Sequence, residues 1–140
     1  MTRKSRDSGP LPLQPEGWTP GTGYAHGIAA TGRIIFTAGQ IGWDPATCNV
    51  VSDDFTEQAA QTLRNVVAVL RAGGAGPEHL VRLTWYVTTR DEYIAARRTL
   101  GAAYREIIGT HYPAMAVVMV SGLVEPRAKV EIEATAVVPA

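Results

Sequence analysis

Val81-Arg82-Leu83-Thr84-Trp85-Tyr86-Val87-Thr88 places an apolar residue at every odd number and a polar or amphipathic one at every even number. Period two is the mark of a strand with one face buried. What flanks this strand decides the fold. Upstream, Asp54 and Glu57 have capping-box spacing, and Ala59, Leu63, Val66, Val67 and Leu70 follow at helical intervals. Gly73-Gly74 ends that helix with the residue that tolerates left-handed geometry. Downstream, Thr89 and Glu92 repeat the capping-box spacing. A single second helix, with Tyr93, Ala96, Leu100, Ala103, Tyr104 and Ile107 on one face, is predicted to run to Gly109, leaving Arg97, Arg98 and Arg105 off the stripe.

Further out lie more strands. Met115 to Val120 is apolar at both parities, whereas Val130, Ile132, Ala134 and Ala136 alternate with Glu131, Glu133 and Thr135. Toward the N-terminus, Tyr24 to Ala30, a break at Gly32, and Arg33 to Ala38 read as a strand pair. A turn-rich loop from Gly39 to Thr47 follows, and Asn49 to Ser52 reads as a short edge strand. The order strand, strand, helix, strand, helix, strand, strand predicts an α+β layer, with two helices on one face of a mixed sheet. The other face is unexplained, because Ile34 to Phe36 and Met115 to Val120 are apolar on both sides. Large exposed apolar patches mark contact surfaces, so the open faces are expected to pack together in a homo-oligomer.

Size and charge narrow the function. With 140 residues, 46% apolar and 19% charged, the chain suits one globular domain. Residues 1–20, interrupted by Pro10, Pro12, Pro15 and Pro20, read as a flexible N-terminal arm, and residues 21–140 as the single domain. Thirteen Lys and Arg balance thirteen Asp and Glu, so the cationic excess that phosphate tracking requires is missing and no nucleic-acid partner is expected. The longest apolar stretch, Ala114 to Val120, is about a third of a spanning helix, so no membrane partner is expected either. Cys48 is the only cysteine, and no apolar signal segment is seen, which fits the cytoplasm.

Candidate chemistry is sparse. Gly21-Thr22-Gly23 precedes a strand and Gly73-Gly74 follows a helix, so neither opens a helix around a phosphate. His26, His79 and His111 are dispersed, and neither a metal nor any other cofactor is expected. Ser121-Gly122 is turn chemistry before it is a nucleophile. Glu131 and Glu133 share the strand face expected to meet another subunit, where partial desolvation would suit a carboxylate to proton exchange, although solvated charges or salt bridges explain them equally well. Tyr24 either orients a ligand or packs its ring. Arg127 sits in a hairpin loop, where exposure is the default and anion capture the alternative.

Four segments together carry a resemblance. Tyr24-Ala25-His26-Gly27, Phe36-Thr37-Ala38-Gly39-Gln40-Ile41, Gln61-Thr62-Leu63-Arg64-Asn65-Val66 and Lys129-Val130-Glu131-Ile132-Glu133-Ala134 resemble, in order, the RidA/YjgF family. The match is collinear from about Tyr24 to Val138. It implies a chorismate-mutase-like fold, a homotrimer with a central β-barrel, and small-molecule clefts between subunits. It also implies hydrolysis of reactive 2-imino or enamino acids, with ammonia released and no metal or organic cofactor. Carried over by position, Tyr24 matches the site tyrosine, Gly39 the glycine of a ligand-facing turn, and Glu131 the glutamate that positions water or relays a proton.

Two positions depart from the family pattern. Where the family has Pro-Ala-Arg-Ser, with an arginine that clamps the substrate carboxylate, this chain reads Pro113-Ala114-Met115-Ala116. Arg97 stands where the family has asparagine. Methionine offers neither charge nor donor, and losing the arginine costs about 2–5 kcal/mol of binding wherever the carboxylate stays buried. The first expectation is therefore a hydrolytic deaminase of an imine or enamine recognised through more apolar contacts. Met115 would line the pocket, and His26 or Arg127 would replace part of the clamp. A non-catalytic small-molecule binder is the alternative, and a ribonuclease or translation-inhibitor role ranks last.

Overall fold

The period-two strand runs from Leu80 to Val87 and is the centre of the sheet, paired on both sides. The computed structural model describes residues 9–140. In chain order its elements are β1 (Leu11–Leu13), β2 (Gly27–Ala29), β3 (Arg33–Phe36), β4 (Gln40–Ile41), β5 (Trp43–Asp44), β6 (Asn49–Val50) and α1 (Phe55–Ala72). A 3-10 turn at Pro77–His79 leads to β7 (Leu80–Val87), α2 (Arg90–Ala95), α3 (Arg97–Ile107), β8 (Ala114–Met119) and β9 (Val130–Val138). The main sheet has the order β3-β9-β7-β8, and β4 also pairs with β9. Only β7 and β8 are parallel to each other. A parallel neighbour requires a long crossover, and α2 and α3 supply it.

Register separates the two faces. Leu83, Trp85 and Val87 stand opposite Ala134, Ile132 and Val130 on β9 and Met115, Val117 and Met119 on β8. The first six of these line the core with Leu63, Val66 and Leu70 of α1 and Leu100 and Tyr104 of α3, while Met115 and Val117 pack at its margin. The opposite face carries Arg82, Thr84 and Tyr86, with Glu131, Glu133 and Thr135 beside them. It also carries Ile34, Phe36 and Val118, which are 56%, 73% and 42% exposed. The α+β layer with one helix-covered face is therefore as expected, and among the described residues the other sheet face is uncovered and partly apolar.

Three local expectations are corrected. The stretches around β2 and β3 are not a strand pair: β2 pairs antiparallel with β1, and β3 pairs with β9. Leu11–Leu13, inside the proline-interrupted stretch read as an arm, is thus a strand. The second helix is two, broken at Ala96, whose N–H reaches both Glu92 and Tyr93 carbonyls. Its capping box does not form. Thr89 makes no side-chain cap, and the Glu92 carboxylate instead accepts from Lys129 Nζ at 2.8 Å. The first box forms by half: the Asp54 carboxylate accepts from the Glu57 N–H at 2.9 Å, but the Asp54 N–H goes to Ser52 Oγ.

Candidate functional site

The sequence-derived site residues fall into three places. The first is a cavity of about 700 Å³ between the helical crossover and the outer edge of the sheet. Tyr24 reaches it because the Ala25 N–H bonds the Pro113 carbonyl at 3.0 Å and Ala25 bridges Ala114, laying this segment along β8. Met115 and Val117 form the strand side of the cavity, with Trp85 behind them. His26 does not line it. Its ring packs edge-on against Tyr24 at 5.4 Å and against Trp18 at 5.2 Å, and Nε2–H donates to the Thr19 carbonyl at 2.8 Å. His26 thus steadies the tyrosine from behind.

The helical side is aromatic and cationic. Tyr104 stacks on Tyr112 at 5.2 Å and donates its hydroxyl to the His111 carbonyl at 2.7 Å. Burial, and then the neighbouring Tyr112, push the Tyr104 phenol far above its ordinary range. With Tyr24 and Tyr93, four of the five tyrosines line this one cavity. Trp85 is 4% exposed, and its Nε1–H is the one buried side-chain polar atom without a partner among the described residues. Arg97 and Arg105 line the cavity from α3, with Gly101 between them. Among the described residues, neither guanidinium meets a carboxylate within 4.0 Å. The sequence marks Arg97 only as standing where the family has asparagine, and does not mark Arg105 as a site residue at all. Their spacing of four and four around Gly101, off the apolar stripe, is the signal that could have found them.

The second place is on the opposite face of the sheet. Glu131 lies across from Ile41 on β4 and Tyr86 on β7. Gly39 packs directly on its carboxylate, since a Cβ there would sit 2.8 Å from Glu131 Oε1. Two residues on, Glu133 Oε1 accepts from the Tyr86 hydroxyl at 2.8 Å. That bond, followed by burial and the charges of Glu133 and Glu131, raises the Tyr86 phenol above its ordinary value. Gly39 and Glu131 are brought together, but apart from Tyr24 and Met115.

Arg127 occupies the third place, a cavity of about 500 Å³ shared with Asp53, Thr88 and Ser121. Its guanidinium is already paired with Asp53 at 3.1 Å, and Gln58 holds its carbonyl at 3.0 Å. It does not reach Met115's cavity, so the expectation that Arg127 replaces the missing clamp there finds no geometry within one chain. Among the described residues, no group of three or more His, Cys, Asp or Glu is placed to hold a metal, and no helix is long and apolar enough to cross a membrane.

Comparison with known proteins matches residues 17–138 to the family model described as Endoribonuclease L-PSP. Protein DfrA of Myxococcus xanthus is 39% identical over 111 residues, spanning 76% of this chain and 77% of DfrA. The 2-iminobutanoate/2-iminopropanoate deaminase of Salmonella typhimurium is 35% identical over 114 residues, 81% of this chain and 86% of that enzyme. Among solved structures, the Rid-family protein YyfB of Yersinia pestis superposes with a TM-score of 0.80 at 32% identity, covering 93% of this chain and 99% of that one.

Proposed function

The chain belongs to the endoribonuclease L-PSP family, also called RidA/YjgF, and on that premise we propose that it hydrolyses a reactive imine or enamine in clefts between the subunits of a homotrimer. The observation that carries this reading is the division of the site. Tyr24 and Met115 line a cavity on the helix side of β8, while Gly39 and Glu131 lie on the far side of the sheet. Neither half alone holds both a ligand cavity and a carboxylate for proton transfer. The exposed Ile34, Phe36 and Val118 supply an apolar face through which copies can associate and unite the halves.

In such a cleft the chemistry needs only water. The Glu131 carboxylate takes a proton from water as its oxygen adds to the imine carbon, and returns it to the nitrogen. A second transfer moves the hydroxyl proton of the resulting carbinolamine to that nitrogen, and ammonia leaves as the C–N bond breaks and the carbonyl forms. Tyr24, steadied by His26, orients the substrate, and Met115 contributes an apolar surface where the family's arginine would stand. No metal or organic cofactor enters this scheme. A cytoplasmic setting keeps the exposed Cys48 reduced, and residues 21–140 act as the working domain, onto whose β2 the strand Leu11–Leu13 pairs.

A second reading, a non-catalytic binder using the same cleft, is favoured by Met115 alone, because a scaffold persists when its chemistry is lost. The two separate by following the decay of 2-iminopropanoate and of a bulkier 2-imino acid, each generated in situ by an amino-acid oxidase. Hydrolysis by the wild type and its loss in Glu131→Ala support the enzyme. Silence in the wild type and in Met115→Arg, with a ligand recovered from the purified protein, supports the binder.

A further inference from the structure

We propose that Arg97 and Arg105 are the anion-recognising pair of the larger cavity, and that its ligand is a carboxylate carried on a flat aromatic body. The inference deepens the proposed function and rests on its reading of that cavity as the ligand site.

The first ground is unmet charge. Arg97 and Arg105 are eight residues apart on α3, about 12 Å along the axis, so both fall on the face that borders the cavity. A Cβ at Gly101 would lie 3.3 Å from Arg105 Nη1, so the Arg105 guanidinium folds back along the helix toward Arg97. Both arginines are exposed to solvent, and among the described residues no carboxylate lies within 4.0 Å of either guanidinium. An incoming anion therefore meets two cations free of ion pairs, and a guanidinium holds a carboxylate by two charge-assisted hydrogen bonds.

The second ground is Gly101 itself. Glycine is the poorest helix former after proline. Here it stands inside α3 at the cavity wall, where a Cβ would meet the end of the Arg105 side chain at 3.3 Å. Its smallness keeps open the space between the two guanidiniums.

The third ground is the lining. Tyr24, Tyr93, Tyr104 and Tyr112 surround the cavity, and Met115 and Val117 give it an apolar strand side. Among the described residues, the only lining cations are on the helix. A ligand whose charge meets α3 must therefore extend an uncharged body across the aromatic and methionine surface. A volume of about 700 Å³ takes a ring-bearing acid rather than a three-carbon one. Relative to the family pattern, the carboxylate-holding charge has moved from strand to helix, and the substrate has lengthened to match.

The test is calorimetric titration of the full-length protein with phenylpyruvate, its methyl ester and pyruvate. Wild type is expected to bind phenylpyruvate at least about tenfold more tightly than either of the others. The double variant Arg97→Gln/Arg105→Gln, checked for unchanged circular dichroism and oligomeric state, is expected to bind acid and ester alike, with Arg97→Lys/Arg105→Lys restoring part of the preference. An unchanged preference for the acid in the double glutamine variant, or no preference in the wild type, overturns the proposal. Charge-dependent binding without turnover of the matching imine sustains it while contradicting the hydrolase reading.

Discussion

A Cβ added at Gly39 would sit 2.8 Å from Oε1 of Glu131 and 2.9 Å from its Cδ, so the absence of a side chain at residue 39 is what leaves room for that carboxylate. Gly39→Ala meets the movable end of Glu131 rather than backbone. Stability should change by less than about 1 kcal/mol, but the carboxylate must shift. If Glu131 transfers the proton, kcat falls about 10- to 100-fold with little change in the melting temperature. Paired activity and thermal-melt measurements check this, and full activity would remove Glu131 from the chemistry.

Tyr86 and Glu133 give a pH-dependent prediction. The phenol is raised above its ordinary value near 10, chiefly by its hydrogen bond to Glu133. A group whose folded value is raised stabilises the fold fully below its unfolded value, and that contribution is lost as pH rises through the folded value. The tie between β7 and β9 therefore weakens only above pH 10. In a Tyr104→Phe background, which removes the other late phenol, Glu133→Ala should move the last phenolate absorbance step to lower pH.

Gln58 is the buried hub beneath the loop after β8. Its amide donates to the Ser52 and Arg127 carbonyls at 2.8 and 3.0 Å and accepts from the Lys129 N–H at 2.9 Å. Gln58→Leu leaves three backbone groups without partners, at about 1–3 kcal/mol for each that water cannot reach. Urea unfolding should show a loss of at least about 2 kcal/mol.

The uncovered sheet face predicts the assembly. Phe36 and Ile34 project from β3 where no element among the described residues covers them. Ile34→Asp/Phe36→Asp should leave the monomer folded, since neither side chain belongs to the core, and should shift sedimentation from oligomer to monomer. A wild type that sediments as a monomer at micromolar concentration contradicts the oligomer.

Local pattern carried much of the fold. The helix from Phe55, the strand Leu80–Val87 and the alternation through β9 are all written in periodicity and end signals that depend on neighbours in sequence. Pairing choices were less legible. That β2 takes β1 as its partner depends on a turn closing across a proline-interrupted stretch, and the break at Ala96 has no glycine or proline to announce it. For the candidate site, motif position proposes Tyr24, Met115, Gly39 and Glu131. It could not place them on opposite faces of the sheet, nor expose Arg97 and Arg105 as cavity residues, because the cavity is assembled from segments more than eighty residues apart.

The divided site is tested most directly by mixing subunits. Tyr24→Ala and Glu131→Ala each disable one half, so each homo-oligomer should be inactive toward the 2-imino acid that the wild type hydrolyses. In oligomers reassembled from equal amounts, a cleft with Tyr24 from one chain and Glu131 from another forms at random in about one case of four. Recovery of about a quarter of wild-type activity is expected, whereas a mixture no more active than its parents would contradict a site shared between chains.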